Sequence, residues 1–150
     1  MSSSALVIRP LAQKDRPLWE PHWAGYQAFY KVSIAPAVTD ETWRRLMDPK
    51  EPMHVLGAFD GPTLLGIVHY IFHRSTWTTG DYCYLQDLFV DPARRGGGTG
   101  RKLIEAVYDA AKAKGAGRVY WLTAEDNAPA RLLYDKVASF VGFIQYRKQM

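Results

Sequence analysis

Val90-Asp91-Pro92-Ala93-Arg94-Arg95-Gly96-Gly97-Gly98-Thr99-Gly100-Arg101-Lys102 stands between a strand-like apolar run and a well-patterned helix. Glycine lets a backbone approach a ligand closely, and the unpaired amides at a helix start, with the helix dipole, favour an anion there. Arg94, Arg95, Arg101 and Lys102 add positive charge at the same place. Spacing separates the possible readings. A Walker A loop requires G-x-x-x-x-G-K-[ST], but Gly100 is followed by Arg101-Lys102-Leu103, so lysine and hydroxyl are out of register. A dinucleotide fingerprint requires G-x-G-x-x-G, and from Gly96 or Gly98 its third glycine falls on Arg101 or Leu103. A flexible loop that merely ends in a helix is the plain alternative. The spacing that does fit is R-x-x-G-x-G, met by Arg95, Gly98 and Gly100.

Working outward, residues 82–90 read as a strand ended by Asp91, which precedes a proline. From Thr99 onward Leu103, Ile104, Val107, Tyr108 and Ala111 recur at helical spacing, and Gly115 closes the pattern as a left-handed cap. Residues 118–123 form the next strand. Asn127 caps a helix with Pro129 in its first turn and Leu132, Leu133 and Val137 as its buried stripe, and 140–148 close the chain as one or two strands. On the other side, 5–9 is a first strand, followed by Trp19, Trp23, Tyr26 and Tyr30 at helical spacing, with the helix starting near Pro21. Residues 39–47 form a second helix capped by Thr39 or Asp40. A hairpin of 53–59 and 63–73 turns at Asp60-Gly61. This order predicts an α/β (α+β) fold with a mixed, mostly antiparallel sheet flanked by helices.

The 150 residues fit one domain, 1–150. Hydrophobic residues at 47% and charged residues at 23% describe a globular chain rather than a disordered or fibrous one. Cys83 is the single cysteine, so no disulfide framework exists; a cytoplasmic location is expected. Met1-Ser2-Ser3-Ser4 opens no signal peptide, and no apolar run is long enough for a bilayer, so no membrane partner is expected. Nineteen basic and fifteen acidic side chains give +4, enough to attract an anionic ligand and short of a polybasic nucleic-acid tail. His69 and His73, without an accompanying carboxylate or cysteine pattern, imply no metal.

Together with the loop, Tyr84-Leu85-Gln86-Asp87-Leu88-Phe89-Val90, the N-x-x-A-x-x-x-Y set Asn127, Ala130 and Tyr134, and Gly142-Phe143 resemble the GNAT superfamily of acetyl-CoA-dependent N-acetyltransferases. Within it the chain is most similar to the diamine (spermidine/spermine) acetyltransferases and a yeast histone and polyamine acetyltransferase. The resemblance implies six to seven strands with about four helices, and a homodimer. It also implies direct acetyl transfer to a primary amine of a polyamine, another small amine or a lysine side chain in a basic peptide. It puts the diphosphate of acetyl-CoA on the amides of Arg95, Gly96, Gly97, Gly98, Thr99, Gly100 and Arg101, with the pantetheine paired like an extra strand along Leu88, Phe89 and Val90. A backbone N–H near Phe89 or Val90 would polarise the thioester carbonyl, which requires a break in strand pairing beside Val90. Asn127 and Ala130 would also contact the cofactor.

Tyr134 is the expected general acid: a phenol is protonated at neutral pH, and seven residues after Asn127 it lies two turns along the same helix face. For an amine of pKa near 10.4, deprotonation at pH 7 costs roughly 4.6 kcal/mol, so a weak base or water chain suffices if the pocket lowers that pKa. The related diamine enzymes carry glutamate where this chain has Gln86, which cannot accept a proton but can orient a water. Asp87 follows on the opposite strand face if no bulge intervenes. Asp87 is expected to recognise the acceptor, and the resemblance, in which the first two helices line the acceptor pocket, implies Tyr26 and Glu20, with Glu41, as further acceptor-binding residues. Two other classes compete, a non-catalytic acyl-CoA-binding regulatory module and a basic nucleic-acid-binding domain. Tyr134 and Asn127 argue against the first, and the absence of a recognition motif against the second.

Overall fold

A computed structural model describes residues 6–150. The start of the expected first strand at Ala5, and the opening Met1-Ser2-Ser3-Ser4, lie outside the described residues. The elements in chain order are β1 (Leu6–Pro10), α1 (Arg16–Phe29), α2 (Pro36–Met47), β2 (Met53–Asp60), β3 (Thr63–His73), β4 (Tyr82–Val90), α3 (Thr99–Lys114), β5 (Val119–Tyr120) and α4 (Ala128–Val137). One sheet runs β1-β2-β3-β4-β5, antiparallel throughout except for β5, which is parallel to β4.

β2 and β3 are near-continuous apolar runs because helices cover both of their faces. On one face Leu103, Ile104, Val107 and Ala111 of α3 pack on Leu56, Val68, Tyr70, Cys83 and Leu85. On the other, Trp19 and Trp23 of α1 and Trp43 and Leu46 of α2 pack on Val55, Phe59, Leu64 and Ile67. Cys83 is a buried packing residue, and burial pushes its thiol up to about 11, which keeps it an inert neutral group.

Local signals gave the expected geometry. Gly61 turns the β2–β3 hairpin at φ +56°, Gly115 caps α3 at φ +78°, and the Asn127 side chain accepts the Ala130 N–H at the start of α4. Other boundaries are corrected. α1 begins at Arg16, with Pro17 in its first turn and Pro21 carried inside the helix. α2 begins at Pro36 with Ala35 as its cap. Thr39 and Asp40 therefore lie within the helix, and Asp40 pairs with Arg16 of α1 instead. The sheet holds five strands among the described residues, not six to seven. β5 pairs at two residues only, and 139–150 form no strand and are exposed.

Candidate active site

Two irregularities shape β4. The β3–β4 register runs His69↔Asp87 and then Tyr70↔Leu85, so Gln86 is an extra residue, a β-bulge. Before it, Cys83 and Leu85 point toward α3; after it, Leu88 and Val90 do. Asp87 and Phe89 consequently turn toward α1, where Phe89 joins the Trp19 and Trp23 layer. Gln86 itself is exposed and does not line the main cavity, so the structure gives it no contact with that space.

The second irregularity is on the other edge. β5 pairs with Cys83 and Tyr84 and no farther, which leaves the rest of β4 open toward α4. The expected break beside Val90 is absent on the β3 side, where Val90 pairs with Gly66; it is the β5 side that is free. The Asp91 N–H donates to the Leu65 carbonyl at 2.9 Å, toward β3. Because backbone groups alternate along a strand, the N–H groups of Leu88 and Val90 face the open edge and that of Phe89 does not.

At the end of β4 the chain enters the glycine turn. Gly96 and Gly98 have φ +90° and +79°, and Gly98 is the N-cap of α3 with no side chain capping the helix start. The first amides of α3 thus lack intrahelical partners and point out of the helix end. A Cβ on Gly100 would lie 3.5 Å from Leu133 Cδ2 and 3.8 Å from Val90 Cγ2, in the seam between α3, α4 and β4. Arg95 donates to the Val90 carbonyl at 3.2 Å, holding the turn against the strand, and Arg101 pairs with Glu105 on the exposed side of α3.

These pieces enclose a cleft of about 630 Å³, in the size range of small-molecule sites. Leu88, Phe89 and Val90 form its floor. Arg95, Gly96, Gly98, Thr99, Gly100 and Arg101 form one end, and Asn127, Ala130 and Tyr134 one wall. Of the expected cofactor residues only Gly97 does not line it. Tyr26 of α1 and Tyr30, its C-cap, form the opposite side. Tyr134 is held edge-on against Trp121, ring centroids 5.4 Å apart, and the end of its helix is tied to α3 by the Tyr108 hydroxyl donating to the Val137 carbonyl at 2.7 Å. Burial, then the neighbouring Tyr30, raises the Tyr134 pKa, so its hydroxyl keeps its proton through neutral pH.

At the acceptor end, Asp87 does not itself line the cleft, but its carboxylate bears on three phenols, of which Tyr26 and Tyr30 do line it. Burial is the first cause raising the pKa of Tyr26, Tyr30 and Tyr84, and the Asp87 charge is the second in each. Glu20 is elsewhere: it pairs with Arg16 at 3.3 Å on the exposed side of α1 and does not line the cleft. Glu41 is likewise tied up by Arg44 and Arg45. The aromatic stripe of α1 divides, with Trp19 and Trp23 in the core and Tyr26 and Tyr30 at the cleft. The structure also brings in a residue that the sequence offered no signal for. His69, which read as a strand histidine without a carboxylate, faces Asp87 at 2.9 Å, and Trp19 donates to its other ring nitrogen at 3.0 Å. Only the strand register, a long-range property, reveals that pairing.

The chain matches the acetyltransferase (GNAT) family over residues 16–140. It is 36% identical to the D-amino-acid N-acetyltransferase HPA3 of Saccharomyces cerevisiae, across 99% of this chain and 93% of that protein. To the thialysine N-epsilon-acetyltransferase of Caenorhabditis elegans it is 31% identical, across 73% of this chain and 67% of that one. Its fold superposes on a ribosomal-protein-alanine N-acetyltransferase from Brucella melitensis biovar Abortus 2308 with a TM-score of 0.82 at 21% identity, covering 97% of this chain and all of the other. No helix among the described residues is long and apolar enough to cross a membrane. The chain belongs to the acetyltransferase (GNAT) family and is an N-acetyltransferase that takes its acetyl group from acetyl-CoA.

Proposed function

We propose that the acceptor is the primary amine of a small molecule, an amino acid or diamine, acetylated by direct attack with both substrates bound. The observation that carries this is Asp87, a carboxylate that the bulge turns toward α1, held on His69 at 2.9 Å and bearing on Tyr26 and Tyr30, the phenols that line the cleft. A cationic amine is stabilised there by the charge and by the aromatic faces. The substrates named for the two similar enzymes, D-amino acids and thialysine, are amines of this kind.

The donor end fits acetyl-CoA on the chain's own features. The uncapped start of α3, the left-handed Gly96 and Gly98 and the bare Gly100 leave main-chain amides accessible to a diphosphate, with Arg95 and Arg101 beside them. The open edge of β4 offers Leu88 and Val90 for main-chain pairing with an amide-bearing arm, and Asn127 and Ala130 border the same space. When bound, acetyl-CoA supplies an activated acyl group on sulfur. The Val90 N–H then serves to polarise the acyl oxygen, and the Tyr134 Oη holds the proton that the departing sulfur takes. Asp87 grips the ammonium, which gives one proton to a solvent water before its nitrogen attacks the acyl carbon, and Gln86, exposed beside Asp87, is assigned only the orientation of such a water.

The homodimer is retained as part of this reading. Phe140, Val141, Phe143, Ile144 and Tyr146 are each at least 70% exposed, in a tail that leaves the sheet's two-residue edge strand unextended, and a second copy would cover them. Thiol release from acetyl-CoA, measured across D- and L-amino acids, thialysine, polyamines, aminoglycosides and basic peptides, tests the acceptor. Turnover highest with amino acids or diamines is expected. Turnover confined to peptides, or none with any amine, overturns the reading.

A further inference from the structure

His69 is buried on the middle of β3, 4% exposed, and reaches two groups that face it from different elements. Trp19 Nε1 donates to His69 Nε2 at 3.0 Å, and His69 Nδ1 is 2.9 Å from Asp87 Oδ2. An indole nitrogen can only donate, so Nε2 must present its lone pair and the ring proton resides on Nδ1. A doubly protonated ring would set two N–H groups against each other. The tautomer is therefore fixed by a core tryptophan that is itself fully buried and clamped between Trp23 and Trp43. The consequence is a donor of fixed direction aimed at one oxygen of Asp87.

That oxygen belongs to the carboxylate which the bulge at Gln86 turned toward α1. The Asp87 side chain is only 12% exposed, and both oxygens of a carboxylate seek donors. Holding one oxygen on His69 leaves the other to act toward Tyr26 and Tyr30, which line the cleft that Asp87 itself does not line. We propose that Trp19 and His69 form a positioning relay that orients Asp87, through Nδ1–H, to grip and align the acceptor's ammonium group. This rests on the proposed function, in that Asp87 is the acceptor-binding group. It goes beyond it by making two core residues, neither of which touches a substrate, determinants of acceptor binding. Such outer hydrogen bonds matter because a group misplaced by a fraction of an ångström loses much of its effect on the reacting centre.

Two isosteric variants separate orientation from mere packing. Asn places its amide where Nδ1 lies, and Gln places its amide where Nε2 lies. Acceptor kcat/KM is expected to fall by about threefold in His69→Asn and about thirtyfold in His69→Gln, with the loss in acceptor KM. Affinity for CoA, followed by calorimetry, should stay within about twofold in both, since the glycine turn is not involved. The double variant His69→Gln with Asp87→Asn should be no worse than Asp87→Asn alone. Equal effects of the two isosteres, a parallel loss of CoA affinity, or multiplicative losses in the double variant would overturn the relay. Nitrogen-15 NMR of the unmodified protein supplies a measurement that survives any failure of the variants to fold. A protonated Nδ1 with a bare Nε2 on His69 is expected, and the opposite tautomer sinks the proposal. If the unmodified protein releases thiol normally and the relay tests fail, only the relay is lost. If it neither binds amines nor releases thiol, the proposed function falls as well.

Discussion

Gly25 and Phe89 are in such close apposition that a Cβ on the glycine would lie 2.6 Å from the Phe89 Cζ. The glycine lets α1 lie directly on the ring that floors the cleft, so helix packing and cleft shape are coupled through one missing methyl group. Gly25→Ala should raise helix propensity by about 1 kcal/mol yet force the ring aside. The expected result is a melting temperature changed by only a few degrees and an acceptor KM raised about tenfold. Unaltered kinetics would show that Phe89 does not shape the acceptor end.

Tyr134→Phe removes a hydroxyl while keeping the ring against Trp121. Turnover is expected to fall about a hundredfold with CoA affinity within about twofold. Burial already raises the pKa of this phenol, so wild-type turnover should show no loss attributable to its deprotonation below pH 10. Steady-state kinetics from pH 6 to about 10 check both statements.

Gly98 and Gly100 should respond differently to alanine. Gly98 is left-handed with open space around it, so alanine there strains the backbone by about 1–2 kcal/mol and distorts the cradle. At Gly100 the added Cβ makes ordinary contacts, so stability is kept and only the ligand's approach is obstructed. Gly98→Ala should lower both the melting temperature and acetyl-CoA affinity. Gly100→Ala should lower affinity alone.

Alkaline stability follows from the phenols. Burial pushes Tyr70 up to about 12, and raises Tyr26 and Tyr134 as well. In the unfolded chain these groups ionise near pH 10. Their contribution is therefore fully present below about pH 10 and is lost as pH rises through the folded-state values, because the unfolded state sheds protons that the folded state retains. Melting temperature should decline above pH 10, and ultraviolet titration should show these tyrosines ionising only with unfolding.

Much of this was legible in the sequence because its causes are local. Gly98 at the start of α3, Gly115 at its end, Asn127 at the start of α4 and the Asp60-Gly61 turn each act within a few residues. Helical spacing puts Tyr134 on the face of Asn127 for the same reason, while its place at the site is what the resemblance of the N-x-x-A-x-x-x-Y set implies. What local pattern did not carry were properties of register and contact between distant segments. These are the bulge at Gln86, the early separation of β5 from β4, and the meeting of Trp19, His69 and Asp87 across 50 and 18 positions of chain. Glu20 was misplaced because helical periodicity alone does not say which side of α1 meets the cleft; its pairing with Arg16 does. The apolar run after Phe140 looks like strand by composition, but a strand also requires pairing with another edge, and residues 139–150 pair with none of the described strands.

Gln86 has one further implication. The fourth strand carries two phases of opposite parity: odd-numbered side chains meet α3 up to Leu85, and even-numbered ones do so from Leu88 onward. Without the bulge, strict alternation from Leu85 would drive Asp87 into the oily layer and swing Leu88 out toward the phenols, whereas deleting Gln86 would make the strand regular and leave both on the faces they hold. The extra residue at 86 therefore matters for its count more than for its side chain: with it present, the greasy and reactive sides of this strand keep their places only while the chain stays bulged there.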